Sequence, residues 1–192
     1  MRGWDHICFA LAFIFASCGK TDTYSHAAKT TDSLSGAISS LVKELEKTDT
    51  LLLQKAIARY ADYKLFIQQN INDTIQKTEA DNLQHFYAGG ESLENFALNR
   101  KTVLERARLI GSQLTRLSED IKTGSPEPNE LTLLVSREKE EAGKLMETGH
   151  EQQKKFQVGF EELKNALPGV ELLIRSRNRG ELPTIIKDTL NF

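Results

Sequence analysis

From Leu83 to Ile121 one spacing repeats without interruption. Leu83, Phe86, Gly90, Leu93, Ala97, Arg100, Leu104, Ala107, Gly111, Leu114, Ser118 and Ile121 follow one another in steps of three and four. Phe96, Val103, Ile110 and Leu117 form a second line beside the first, at steps of seven. That is the period of an α-helix, not of a strand. A helix carrying two adjacent apolar lines has to bury them against more than one neighbour. The segment therefore commits the chain to an all-α helical bundle with coiled-coil-like packing.

The neighbours are legible on either side. "TGSPEPNE", Thr123 to Glu130, breaks the rhythm with two prolines and a glycine. Leu131, Val135, Glu138, Ala142, Leu145, Gly149, Gln152, Phe156, Gly159 or Phe160, Leu163 and Leu167 then resume it. A fold-back near residue 126 predicts Gly90 opposite Leu163, Ala97 opposite Phe156, Leu104 opposite Gly149, Ala107 opposite Leu145 and Ile121 opposite Leu131. Large residues meet small ones, so the backbones can approach without voids. Arg100 meets Gln152 in this register, a polar layer that would fix it.

Upstream, Asp32 is the expected N-cap of a helix carrying Leu34, Ala37, Ile38, Leu41, Val42 and Leu45. Leu53, Ile57, Tyr60, Lys64, Ile67 and Ile71 continue it after Thr48-Asp49-Thr50. With no Gly or Pro there, residues 48–50 read either as a turn or as a polar patch. The bundle is accordingly elongated and antiparallel, with three long helices, or four if residues 48–50 turn. A hairpin tip is expected between Asn70 and Asn82, capped by Asp73 with Gln76 or by Thr78 with Asp81. Pro168-Gly169 is expected to interrupt or kink the last long helix. The helical body is thus set at residues 32–167. Residues 168–192 would be a short helix and a tail that Ile185, Ile186, Leu190 and Phe192 could dock.

The amino-terminal end has a different character. Ile7 to Ala16 is apolar, but about 15 Å of helix cannot cross a core of roughly 30 Å. A signal-peptide hydrophobic region fits that length, with Arg2 supplying its positive charge. Phe15-Ala16-Ser17-Cys18 resembles the lipobox of bacterial lipoproteins, with Phe15 standing where leucine is commonest. The resemblance implies cleavage between Ser17 and Cys18 and a diacylglyceryl group on Cys18. Residues 1–17 would then be the signal peptide, and residues 18–31 the lipidated cysteine and a flexible polar tether. An ordinary signal peptide cleaved nearby is the other reading of the same run. Cys8 would leave with the signal, so Cys18 would have no partner for a disulfide. The several acyl chains implied by the resemblance suffice for stable membrane anchoring. Gly19 stands where an aspartate would signal inner-membrane retention in enteric bacteria, which favours the outer membrane.

Chemistry is harder to find. Twenty-five Lys and Arg against 27 Asp and Glu leave a net charge of -2, which does not suit a nucleic-acid binder. Glu147 and His150 match the Glu-x-x-His spacing of di-iron bundles once, but helical phase points both away from the seam. Asp81 and His85 likewise face solvent. No Gly-x-Ser-x-Gly elbow occurs, and Gly89-Gly90 lacks the Lys-Ser/Thr of a phosphate loop. Arg175, Arg177 and Arg179 could bind anions, or complete a helix dipole and pair with acids.

The sequence therefore predicts no catalytic residues, metal or cofactor. It describes a lipid-anchored envelope lipoprotein, a scaffold or interaction module reaching the membrane through Cys18 and binding an envelope protein. The alternative is a carrier for an apolar small molecule or lipid, which would need a wide cavity lined by Phe86, Phe96, Phe156 and Phe160.

Overall fold

The computed structural model describes residues 18–183, with side chains from residue 22. Among the described residues there are four helices and no strand: α1 (Cys18–Glu46), α2 (Thr50–Asn70), α3 (Lys77–Thr123) and α4 (Pro128–Arg177). The chain is an all-α helical bundle. The expected lipobox residues Phe15 to Ser17, and the tail residues Ile185, Ile186, Leu190 and Phe192, lie outside the described residues.

The bundle divides into two compact units. Among the described residues, one takes 18–43 together with Leu104–Glu147; the other takes Glu44–Val103 together with 148–183. Each has a three-helix core. In the first, Ile38 and Leu41 of α1, Ala107, Ile110 and Leu114 of α3, and Ala142 and Leu145 of α4 are buried. In the second, Leu53, Ile57, Tyr60 and Ile67 of α2 are buried, as are Phe86, Leu93 and Phe96 of α3, and Leu163, Val170 and Ile174 of α4.

Residues 48–50 do turn, so the four-helix alternative holds. Asp49 adopts an extended backbone and its carboxylate accepts from Leu52 N at 2.9 Å, which caps α2. On the other side of the turn, Leu45 O accepts from Thr48 N at 3.4 Å and from Arg100 Nε at 3.0 Å. Arg100 therefore caps the end of α1. Its long stem and rigid donor fork suit a carbonyl that the helix itself leaves without a partner.

The fold-back near residue 126 is present. α3 ends in a Schellman arrangement: Gly124 at φ +68 donates to Ile121 O, and Ser125 N donates to Asp120 O at 3.0 Å. Pro128 then opens α4, at a position where its missing N–H costs nothing. At the α2–α3 tip the cap is neither of the expected pairs. Glu79 Oε2 reaches back 2.7 Å to Gln76 N, half of a capping box that starts three residues after Asp73 and two before Thr78.

Three further expectations are corrected. Residues 18–31 are not a tether but the first turns of α1, and Asp32 is not its N-cap. Ala27 and Thr31 are buried, Ala27 packs with Leu117, Ile121 and Leu131, and the Tyr24 hydroxyl donates to Pro126 O. Asp32 instead accepts from Ser118 Oγ at 3.1 Å. The apolar contacts were hidden because this turn of α1 buries small and polar residues where a period search looks for leucines. Finally, Pro168 does not interrupt α4, which runs on to Arg177. Val170, Leu173 and Ile174 bury on that extension, and such packing outweighs the roughly 3 kcal/mol that an interior proline costs a helix.

Candidate functional site

In the second unit α3 and α4 come together through small residues. A Cβ on Gly89 would lie 2.6 Å from Leu163 N, and one on Gly159 would lie 2.4 Å from Ser92 Cβ. Gly90, expected opposite Leu163, is turned one step round the helix, where a Cβ would strike the Tyr60 ring of α2 at 2.1 Å. The same one-residue shift puts Phe96, rather than Ala97, against Phe156, with ring centroids 4.5 Å apart and stacked. Gly89-Gly90 is thus a double close contact, one glycine for each neighbouring helix, and not a phosphate loop.

The aromatic residues divide between packing and surface. Phe86 is fully buried against Tyr60 and Tyr87, with centroids 5.1 and 5.5 Å away. Phe96 is fully buried beneath Phe156. Phe156 and Phe160 line a cavity of about 290 Å³ at the α1–α2 turn of the second unit. In the first unit a groove of about 550 Å³ runs between α1 and the start of α4, with Asp22, His26 and Thr30 facing Val135 and Lys139. No known family model matches the chain, and neither a curated protein nor a solved structure is significantly similar to it.

The titratable candidates lie on the outside. Glu147 and His150 are exposed on α4, and His150 Nε2 is 3.8 Å from Glu44 Oε2. Asp81 and His85 are exposed on α3, with His85 Nδ1 3.9 Å from Glu162 Oε1. Among the described residues no group of three or more His, Cys, Asp or Glu is placed to hold a metal ion.

The arginine cluster closes the end of α4. Arg177 Nη2 pairs with Asp73 Oδ2 at 2.9 Å, tying the helix end to the α2–α3 connection. Arg175 Nη1 donates to Gly180 O at 2.8 Å, while Gly180 N donates back to Arg175 O at 2.9 Å. Arg179, at φ +52, occupies the left-handed position that ends the helix. Two of the three side chains are therefore committed within the chain, as helix-end and acid partners.

Burial raises the phenols of Tyr60, Tyr63 and Tyr87. Burial pushes the Tyr63 phenol up to about 12, helped by the hydrogen bond it donates to Glu171 Oε1 at 2.9 Å. This pair has no mark in the periodicity, because Tyr63 falls between the residues that define the apolar line and Glu171 lies beyond Pro168.

Proposed function

We propose that this chain is a lipid-anchored envelope protein whose helical bundle serves as an interaction module. The observation that carries the reading is "FASC", Phe15 to Cys18, standing directly before the helical body. A diacylglycerol on Cys18 would then be joined to the first residue of α1, so the anchor and the bundle would have no polar spacer between them. Among the described residues no helix is long and apolar enough to cross a membrane, so the lipid would supply the attachment. Filled helical cores and exposed, scattered titratable groups suit a surface that binds another protein better than one that turns over a substrate. With Gly19 after the cysteine, the outer membrane is the favoured address.

The test is Cys18→Ala against the parent in bacterial cells fed an alkyne fatty acid. The parent should take up label, shorten to the mature size and fractionate with membranes. The variant should lose all three. A variant that is still processed and membrane-bound would overturn the lipid anchor and leave an ordinary signal peptide.

A further inference from the structure

We infer that the groove between α1 and the start of α4 is the contact through which two copies of this chain pair about a two-fold axis. The groove lies wholly within the first unit and holds about 550 Å³. Its floor is apolar: Ala27 and Leu131 are buried and Val135 is half-buried. Thr30, Thr132 and Ser136 complete the walls, and side chains this short leave room for a helix to approach closely. α1 runs antiparallel to α3, since Ala27 packs with Ile121 while Asp32 meets Ser118, and α3 folds back into α4. The two walls are therefore parallel helices.

The charges on these walls fit a second copy. Asp22 and Lys139 are the two fixed charges of the lining; both are exposed, and they stand at opposite ends. Asp22 comes five residues before Ala27 on one wall and Lys139 eight after Leu131 on the other, which sets them about 20 Å apart along the groove. A small ligand could meet one of these charges but not both. A two-fold axis through the middle of the groove exchanges its ends, so Asp22 of each copy faces Lys139 of the partner subunit, and Thr30 faces the partner subunit's Leu131. An isologous contact requires that arrangement: opposite charges placed symmetrically about the axis, with the uncharged middle left to apolar packing. The two walls of each copy then close into an antiparallel layer of four helices. The pairing is independent of the anchor at Cys18.

The experiment co-expresses two differently tagged copies in bacterial cells, captures one tag after solubilisation in mild detergent, and follows the mass of the purified chain by sedimentation. Co-capture, with a mass that rises to twice that of the chain as concentration increases, is the expected result. Asp22→Lys alone and Lys139→Glu alone should each weaken self-pairing about tenfold or more, because the axis turns one substitution into two like-charge contacts. Both side chains are exposed, so neither change should alter thermal unfolding measured at concentrations where the chain is a monomer. The two variants mixed should pair with each other about as tightly as the parent pairs with itself, since each brings the charge the other lacks. A monomer at every concentration overturns the proposal and leaves the groove to a different protein. Dimers indifferent to both substitutions, or single variants that fail to pair with each other, overturn it too and put the contact elsewhere.

Discussion

Gly89 on α3 and Leu163 on α4 are in backbone contact: a Cβ at residue 89 would sit 2.6 Å from Leu163 N and 2.7 Å from Gly159 O. Both obstructing atoms belong to a helix backbone and cannot swing aside. Gly89→Ala should therefore lower stability by about 1–3 kcal/mol through overpacking, despite alanine's better helix propensity. Gly143 on the same α4 has nothing within 4 Å of a built Cβ, so Gly143→Ala should raise stability by about 0.5–1 kcal/mol. Urea unfolding of the two variants beside the parent checks the pair. If both variants are stabilised alike, the close approach is absent.

Tyr63 makes stability depend on alkaline pH. Its phenol is only 3% exposed, and burial together with the bond to Glu171 raises it from 10.0 to about 12. The folded state prefers the neutral phenol more strongly than the unfolded chain does. That contribution is complete below about pH 10 and is lost as pH climbs from 10 towards 12. Tyr63→Phe should cost about 1 kcal/mol at pH 8, where Glu171 loses its donor. The gap between parent and variant should narrow above pH 10. Tyr60 and Tyr87 are also raised by burial, so the parent-to-variant difference, not the parent's own slope, is the quantity to follow. A gap that stays constant from pH 8 to 11.5 would rule the linkage out.

The α1–α2 turn is held from both sides by side chains. Asp49→Ala removes the acceptor for Leu52 N and should cost about 1 kcal/mol, whereas Asp49→Asn should cost only a few tenths. Arg100→Met keeps an apolar stem but withdraws the donor from Leu45 O, for about 1–2 kcal/mol. Chemical denaturation measures all three. Losses below about 0.3 kcal/mol for both Asp49→Ala and Arg100→Met would mean that the turn is set by packing alone.

What the sequence disclosed and what it hid follow from the range of the interactions. The break at Thr123–Glu130, the α3–α4 register and the helical class come from local periodicity and local breakers, and all are present. The register is right, yet the partners Gly90 and Ala97 are displaced by Gly89 and Phe96, because a helix with two apolar lines leaves open which line meets which neighbour. The turn at residues 48–50 stayed undecided because its stop signal, Arg100, lies 55 residues away in sequence. Pro168 read as a breaker because the burial of Val170 and Ile174 that overrides it is tertiary. The cavity at the α1–α2 turn is legible only in part: Phe156 and Phe160 stand among the residues a carrier cavity would use, but that they meet Thr48 and Leu52 of the turn is a tertiary contact.

The amino-terminal turns of α1 give the sharpest contrast between a helix and the tether that composition suggested. A tether would exchange its amide hydrogens freely, and nothing would be lost by changing its residues. Ala27 instead packs with Leu117, Ile121 and Leu131, and Thr31 is buried with its hydroxyl bonded to Ala27 O at 2.9 Å. Ala27→Asp should therefore bury a carboxylate without a partner and cost about 3 kcal/mol or more. Tyr24→Phe, which removes the bond to Pro126 O, should cost about 0.5–1.5 kcal/mol. Hydrogen exchange read by mass spectrometry should show protection over residues 24–31 in the parent, and loss of it in Ala27→Asp before the second unit is affected. Full exchange of residues 24–31 within seconds in the parent would restore the tether and detach this stretch from the first unit's core.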